Sequence, residues 1–139
     1  MNASNKANKE LVRGYFEAFN EHDTEWFSEN FTDPILYQGS EVKREDMIER
    51  EEATWTGIPD FERTVLEMIA EDDRVAVREK GRGTHLGELY GLDPTGKEFE
   101  TTGTHVFGVE NGRIAERWYD WDALGFWEQL GLAEPPTIE

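Results

Sequence analysis

The chain has 139 residues, of which 14 are Lys or Arg and 31 are Asp or Glu, giving a formal net charge of −17. That length suits one domain with its own core, since a chain near this size hides roughly 70% of the surface its unfolded form exposes. The charge repels nucleic acid and anionic membrane, and the lack of cysteine removes disulfides, thiolate metal sites and a cysteine nucleophile.

The acids are spread along the sequence, and 12% aromatic residues is too many for a disordered acidic tail, so a folded domain with an acidic surface is expected. Three histidines, His22, His85 and His105, stand far apart without the close spacing of a ligand motif, so no metal is expected. The start, MNASNKANKE, lacks the apolar centre of a signal peptide, and no run approaches the ~20 apolar residues of a membrane span. A cytoplasmic protein is expected. With no repeat or linker, residues 1–139 read as a single domain, with residues 1–4 and 133–139 expected to fray.

The spacing of Leu11, Val12, Tyr15, Phe16 and Phe19 predicts a helix from about Asn5 to Glu21 with one apolar face. Asp23 can cap a short second helix carrying Trp26, Phe27 and Phe31, which Asp33-Pro34 should end. Ile35 to Gln38 reads as a short extended piece. A third helix is predicted from about Lys43 to Trp55, with Met47, Ile48, Glu51 and Trp55 on one face and Gly57 and Pro59 as stops.

The period then changes to two. Phe61 to Ala70 reads as a strand, and Asp72-Asp73 as a turn. Arg74 to His85 places Val75, Val77, Glu79, Gly81, Gly83 and His85 on one face and Arg78, Lys80, Arg82 and Thr84 on the other. Asp93-Pro94-Thr95-Gly96 is a turn. Strands follow over about Phe99 to Val109 and Arg113 to Tyr119, joined by the hairpin signal Asn111-Gly112. A last short helix runs from about Ala123 to Leu130 and stops at Gly131. Helices followed by consecutive strands predict an α+β fold.

The hairpin fixes a parity. A two-residue turn at Asn111-Gly112 sets Phe107 opposite Glu116, His105 opposite Trp118 and Gly103 opposite Asp120. Val109, Ile114, Phe107 and Trp118 share that face, so it should be inner and carry His105, Glu116 and Asp120 inward. Arg117 and Tyr119 would then point outward, with Val106 and Ala115. One bulge would reverse this. An inward carboxylate pair and a histidine suit acid–base chemistry. Equally, Glu116 could pair with an arginine, His105 could be a satisfied core histidine, and Asp122 is placed to cap the last helix.

Several segments resemble the SnoaL-like polyketide-cyclase and ester-cyclase family: LVRGYFEAFNEHD, GIPDFERTVLEMIAEDDRVAVR, and GRGTHLGELYGLDPTGKEFETTGTHVFGVENGRIAERWYDWDALGFWEQLGL. The resemblance implies an NTF2-like cone: a curved antiparallel or mixed sheet, about three N-terminal helices and a short C-terminal helix around one pocket, commonly as a homodimer or homotetramer. It implies intramolecular aldol chemistry on a small hydrophobic carbonyl-bearing molecule, with no cofactor. It implies an aspartate near the end of the last strand as the acid–base group, helped by a histidine. Here those are Asp120 or Asp122, and His105. The family spacing W-x-x-x-D points at Asp122, whereas the strand parity puts Asp120 nearer His105. Tyr15, Phe19, Tyr37, Trp55, Glu79, His85, Phe107, Glu116 and Trp118 are the expected pocket residues, and Gln38 stands where many relatives carry a histidine. The alternatives are a domain that only binds a small hydrophobic metabolite, or an epoxide hydrolase, which needs a carboxylate with arginine and asparagine partners inside the pocket, whereas Arg78, Arg82 and Arg117 are expected to point outward.

The acidity suits a source at high salt, where screening removes self-repulsion. The melting temperature is therefore expected to rise with KCl, and a flat or falling response in a KCl titration would overturn that origin.

Overall fold

A computed structural model of the protein describes residues 3–132. Residues 1, 2 and 133–139, within the stretches expected to fray, lie outside the described residues, while residues 3 and 4 already belong to the first helix. Four helices and six strands follow one another as α1 (Ala3–Glu21), α2 (Thr24–Asn30), β1 (Phe31–Tyr37), β2 (Ser40–Val42), α3 (Arg44–Gly57), β3 (Glu62–Glu71), β4 (Arg74–Thr84), β5 (Glu98–Glu110), β6 (Arg113–Trp121) and α4 (Ala123–Gln129).

The strands form one curved, mixed sheet in the order β2-β1-β6-β5-β4-β3. Only β1 and β6 run parallel; every other neighbouring pair is antiparallel. The apolar face of α1 buries Val12, Tyr15, Phe16 and Phe19 as its spacing predicts. Asp23 caps α2, accepting from the Trp26 amide at 3.2 Å. That helix ends earlier than expected, at Asn30, and Asp33-Pro34 instead lies within β1. On α3, Met47, Glu51 and Trp55 are buried together, one turn apart, so an acid sits on the helix's core face.

Two apolar clusters result. The larger joins α1, α2 and α3 to the sheet, and the smaller gathers Ile58, Leu89, Phe99, Phe126 and Leu130 around α4. Phe61 packs against both. Among the described residues no helix is long and apolar enough to cross a membrane.

The last hairpin departs from the simple count. Asn111 and Gly112 both have positive φ, 50° and 75°, and Glu110 pairs with Arg113 and Val109 with Ile114 as expected. Then Gly108 pairs with Glu116, so Ala115 is an extra residue bulged out of β6. Gly108 gives the local reason. A Cβ there would lie 2.9 Å from both Glu116 Cβ and Arg74 Nη1, and Arg74 reaches past it to Glu116 Oε2 at 2.7 Å. Only glycine leaves room for that crossing.

The bulge reverses every side chain beyond it. Phe107 faces Arg117, His105 faces Tyr119 and Gly103 faces Trp121. Arg117 and Tyr119, expected outside, are inside. Glu116, Trp118 and Asp120, expected inside, lie on the outer face, with Trp118 40% exposed and Asp120 exposed.

Asp122 opens α4 as its N-cap, accepting from the Gly125 amide at 2.9 Å. Replacing Asp122 by Ala is expected to cost about 1 kcal/mol of stability, the usual worth of such a cap. A denaturant midpoint identical to that of the unsubstituted protein would contradict this role.

Candidate functional site

Where the two clusters meet there is a cavity of about 530 Å³. Its wall comes from α3 (Met47, Arg50, Glu51, Thr54), the segment 88–90, β3 (Arg63), β5 (Phe99), β6 (Arg117, Tyr119, Trp121) and Phe126 of α4. The size suits a small organic molecule.

The polar part of the wall is built from buried charges. Arg117 is 2% exposed, and its Nη1 donates to Glu51 Oε1 at 3.1 Å. Glu51 Oε2 accepts from the Tyr15 hydroxyl at 3.2 Å, and Arg63 Nη1 donates to that same hydroxyl at 3.2 Å. Aromatic rings hold both guanidinium groups. Arg117 lies over Tyr15 (4.6 Å to the centroid) and Tyr37 (5.5 Å), and Arg63 over Phe19 (4.1 Å), Phe61 (5.0 Å) and Tyr119 (5.1 Å).

Behind Tyr119 lies a second layer. Its hydroxyl donates to Glu79 Oε1 at 2.6 Å, and His105 Nε2 meets the same oxygen at 3.1 Å. A carboxylate only accepts, so Nε2 carries the hydrogen. The His105 ring is stacked on Tyr119 at 4.0 Å and on Phe107 at 5.4 Å. Arg63 Nε is 3.6 Å from Glu79 Oε1, too far for a hydrogen bond but close enough for charge. Glu79 Oε2 and His105 Nδ1 are buried and have no hydrogen-bond partner.

Local sequence positions these groups. Gly103 admits Tyr119, because a Cβ there would lie 2.6 Å from Tyr119 Cε1 and 3.1 Å from its hydroxyl. Gln38, in the β1–β2 turn, clamps the Tyr119 backbone: its amide donates to the Tyr119 carbonyl at 2.7 Å and accepts from the Tyr119 amide at 3.0 Å.

Burial sets the protonation states. It pulls the His105 pKa down to about 4, since the Glu79 hydrogen bond only partly offsets it and the arginines add to it. Burial alone would raise the Glu79 pKa, but the His105 hydrogen bond, Arg63 and Tyr119 together hold it below the usual carboxylate value. Burial, reinforced by Glu79 against the pull of Arg63, pushes the Tyr119 hydroxyl well above its ordinary value. The resting site is thus a neutral histidine, an ionised Glu79 and a neutral tyrosine.

Of the residues expected from sequence, Tyr37 lines the cavity. Tyr15, Phe19, Glu79, His105 and Phe107 support the wall from behind. Trp55 stacks on His22 at 4.3 Å, away from the wall. His85 is turned toward the 93–96 turn, its Nδ1 3.2 Å from both the Thr95 amide and hydroxyl. Glu116 pairs with Arg74 outside, and Trp118 donates to Glu116 there. Neither Asp120 nor Asp122 is on the cavity wall, which holds no aspartate. Sequence reasoning missed Arg63, Arg117 and Tyr119. Arg63 shares its strand parity with Phe61 and Val65, a signal that was readable; the other two were hidden by the bulge. Among the described residues, no three or more His, Asp or Glu side chains are grouped to hold a metal ion.

A curved mixed sheet closed by helices over one cavity is the NTF2-like cone. Within that class, the profile of the SnoaL-like polyketide cyclases matches residues 9–130. The aklanonic acid methyl ester cyclase DauD of Streptomyces sp. (strain C5) is 33% identical over 140 residues, covering 94% of this chain and 84% of the relative. DnrD of Streptomyces peucetius, also an aklanonic acid methyl ester cyclase, is 32% identical over 139 residues, covering 94% of each. The crystal structure of IdmH from Streptomyces antibioticus, a proposed polyketide cyclase, superposes with a TM-score of 0.80 at 31% identity, covering 89% of this chain and 98% of its own. This chain belongs to the SnoaL-like polyketide cyclase family.

The buried histidine links stability to pH. An unfolded histidine binds its proton near pH 6.5, the native one only near pH 4. Between those values the unfolded chain holds the extra proton. Stability should therefore be complete above about pH 7 and fall as pH drops through that window, by up to about 1.4 kcal/mol per pH unit. Glu79, also shifted down, adds a further loss at lower pH, below the ordinary carboxylate range. Urea midpoints are expected to decline from pH 6.5 to 4 in the wild type. The upper part of that decline should flatten in His105→Gln. A parallel decline in both proteins would contradict the buried neutral His105.

Proposed function

We propose that the protein is a cofactor-free cyclase that closes a ring in a small hydrophobic polyketide-like molecule by aldol chemistry, with Tyr119 meeting the substrate and Glu79 receiving the proton behind it. The observation that carries this reading is the 2.6 Å Tyr119–Glu79 hydrogen bond at the cavity wall, with Glu79 only 1% exposed. So deep a carboxylate exchanges protons with the cavity through Tyr119.

In the first step a proton leaves the carbon next to a substrate carbonyl for the Tyr119 oxygen, as the Tyr119 hydroxyl proton passes to Glu79 Oε1. The resulting enolate carbon attacks a second carbonyl of the same molecule, forming one C–C bond and an alkoxide. The proton returns by the same path to the alkoxide. Bonds, charge and protons balance without an oxidant or a metal. His105 stays neutral and holds Glu79 in place, through its Nε2 hydrogen bond.

Membership of a family whose similar members are named cyclases supports this over a domain that only binds. The methyl ester substrates named for DauD and DnrD suggest aromatic β-keto methyl esters as the first panel.

Tyr119→Phe and Glu79→Gln are each expected to lower kcat by about 100-fold or more, the usual worth of acid–base catalysis. Asp120→Asn should leave turnover unchanged. An absorbance-followed assay with these three variants decides between positions. Loss of turnover in Asp120→Asn with full turnover in Tyr119→Phe would return the chemistry to the aspartate.

A further inference from the structure

The two buried arginines of the cavity wall carry more N–H donors than the acceptors around them take up. Both oxygens of Glu51 are occupied, by Arg117 and Tyr15, and the Tyr119 hydroxyl is spent on Glu79. Each guanidinium, by contrast, has five N–H bonds in a planar fork. Arg117 gives one hydrogen bond to Glu51 and Arg63 gives one to Tyr15. The Nε of each is buried without a hydrogen-bond partner. The Nη2 of each donates to no other described residue, and both arginines line the cavity. Aromatic rings occupy the faces of both planes, so only the edges, where the N–H bonds point, can meet a ligand.

Charge does not oppose an anion there. The chain as a whole carries −17, yet the cavity lining holds three arginines, Arg50, Arg63 and Arg117, against two glutamates, Glu51 and Glu88, and Glu79 behind the wall evens the count. The cavity is thus locally balanced in an acidic molecule, and a negative group inside meets guanidinium edges rather than an excess of acid.

We propose that Arg63 and Arg117 form a clamp for a delocalised two-oxygen anion, so that this cavity selects a substrate bearing a free carboxylate or the enolate of a 1,3-dicarbonyl over a neutral ester. This deepens the cyclase reading and rests on it for the substrate's role, though not for its binding. The anion's two oxygens take the donors that the protein leaves unused. Its apolar remainder lies against Phe99, Trp121 and Phe126.

The test is calorimetric binding to the full chain of three probes with one ring system: 2-naphthoate, its methyl ester, and 1-(2-naphthyl)butane-1,3-dione above its pKa. At least one anion is expected to bind about 10-fold or more tightly than the ester, the scale of a charge-assisted bidentate contact. Which anion does so identifies the source of the charge. In Arg63→Lys, which keeps the charge but loses the fork, the preference should shrink at least about threefold. An ester that binds as tightly as both anions overturns the clamp, and this outcome needs no variant. So does a preference that Arg63→Lys leaves intact. Binding is read without turnover, so these failures leave the cyclase reading standing. A protein that prefers the anion yet turns over no carbonyl substrate would sink the cyclase reading alone.

Discussion

A guanidinium sealed inside a protein must be neutralised and hydrogen-bonded, and two of them govern the interior here. Arg117 and Arg63 are both less than a tenth exposed, and each needs an acid within reach. Glu51 comes from a helix, Glu79 from the middle of β4, and Tyr15 from the far side of the core to bridge Glu51 and Arg63. Taking away one member of such a set leaves an uncompensated buried charge, which typically costs about 3–5 kcal/mol. The network therefore ties α1, α3, β3, β4 and β6 together with a demand that apolar packing alone does not make. It sets the position of α3 against the sheet, and with it the width of the cavity between them.

That network depends on one extra residue. With a regular β5–β6 ladder, Arg117 and Tyr119 would face solvent, and Glu116, Trp118 and Asp120 would enter the core. The bulge at Ala115 exchanges them. Its outer anchor is the Arg74–Glu116 ion pair across Gly108, and its inner consequence is the Tyr119–Glu79–His105 stack. A surface contact and a buried site are thus two faces of one register shift. Bulges commonly re-aim side chains next to functional sites, and here one does so for a strand's entire second half.

This accounts for what could be read from the sequence. The helical stripe of α1, the alternation of β4 from Val75 to Gly83 and the Asn111-Gly112 turn each announce themselves through a local period or a local backbone demand, and each is where it was expected. The inward His105 and Glu79 follow from strands whose parity is intact. The outward Asp120 does not, because parity counted from a turn survives only until the first irregularity. Gly108 was a hint, since a glycine inside a strand often marks a bulge or a close approach, but its partner Arg74 lies more than thirty residues away in sequence. Family resemblance led toward an aspartate at the strand's end for a different reason. Its spacing points at Asp122, which caps α4 instead of lining the cavity. The side chain that faces the cavity at this place in the fold is Tyr119.

The site is also where the structure gives up stability. Glu79 Oε2 and His105 Nδ1 are buried without partners, and unpaired buried polar atoms of this kind typically cost about 1–3 kcal/mol each. A well-packed apolar replacement of similar shape is often neutral or stabilising at such positions. Under the proposed cyclase chemistry these buried groups have a use, since His105 holds Glu79 and Glu79 takes up the proton. A carboxylate held ionised away from water, reached through a single hydroxyl, receives a proton with little solvent to reorganise around it. The same isolation that makes the group costly to bury makes it selective about where its proton comes from.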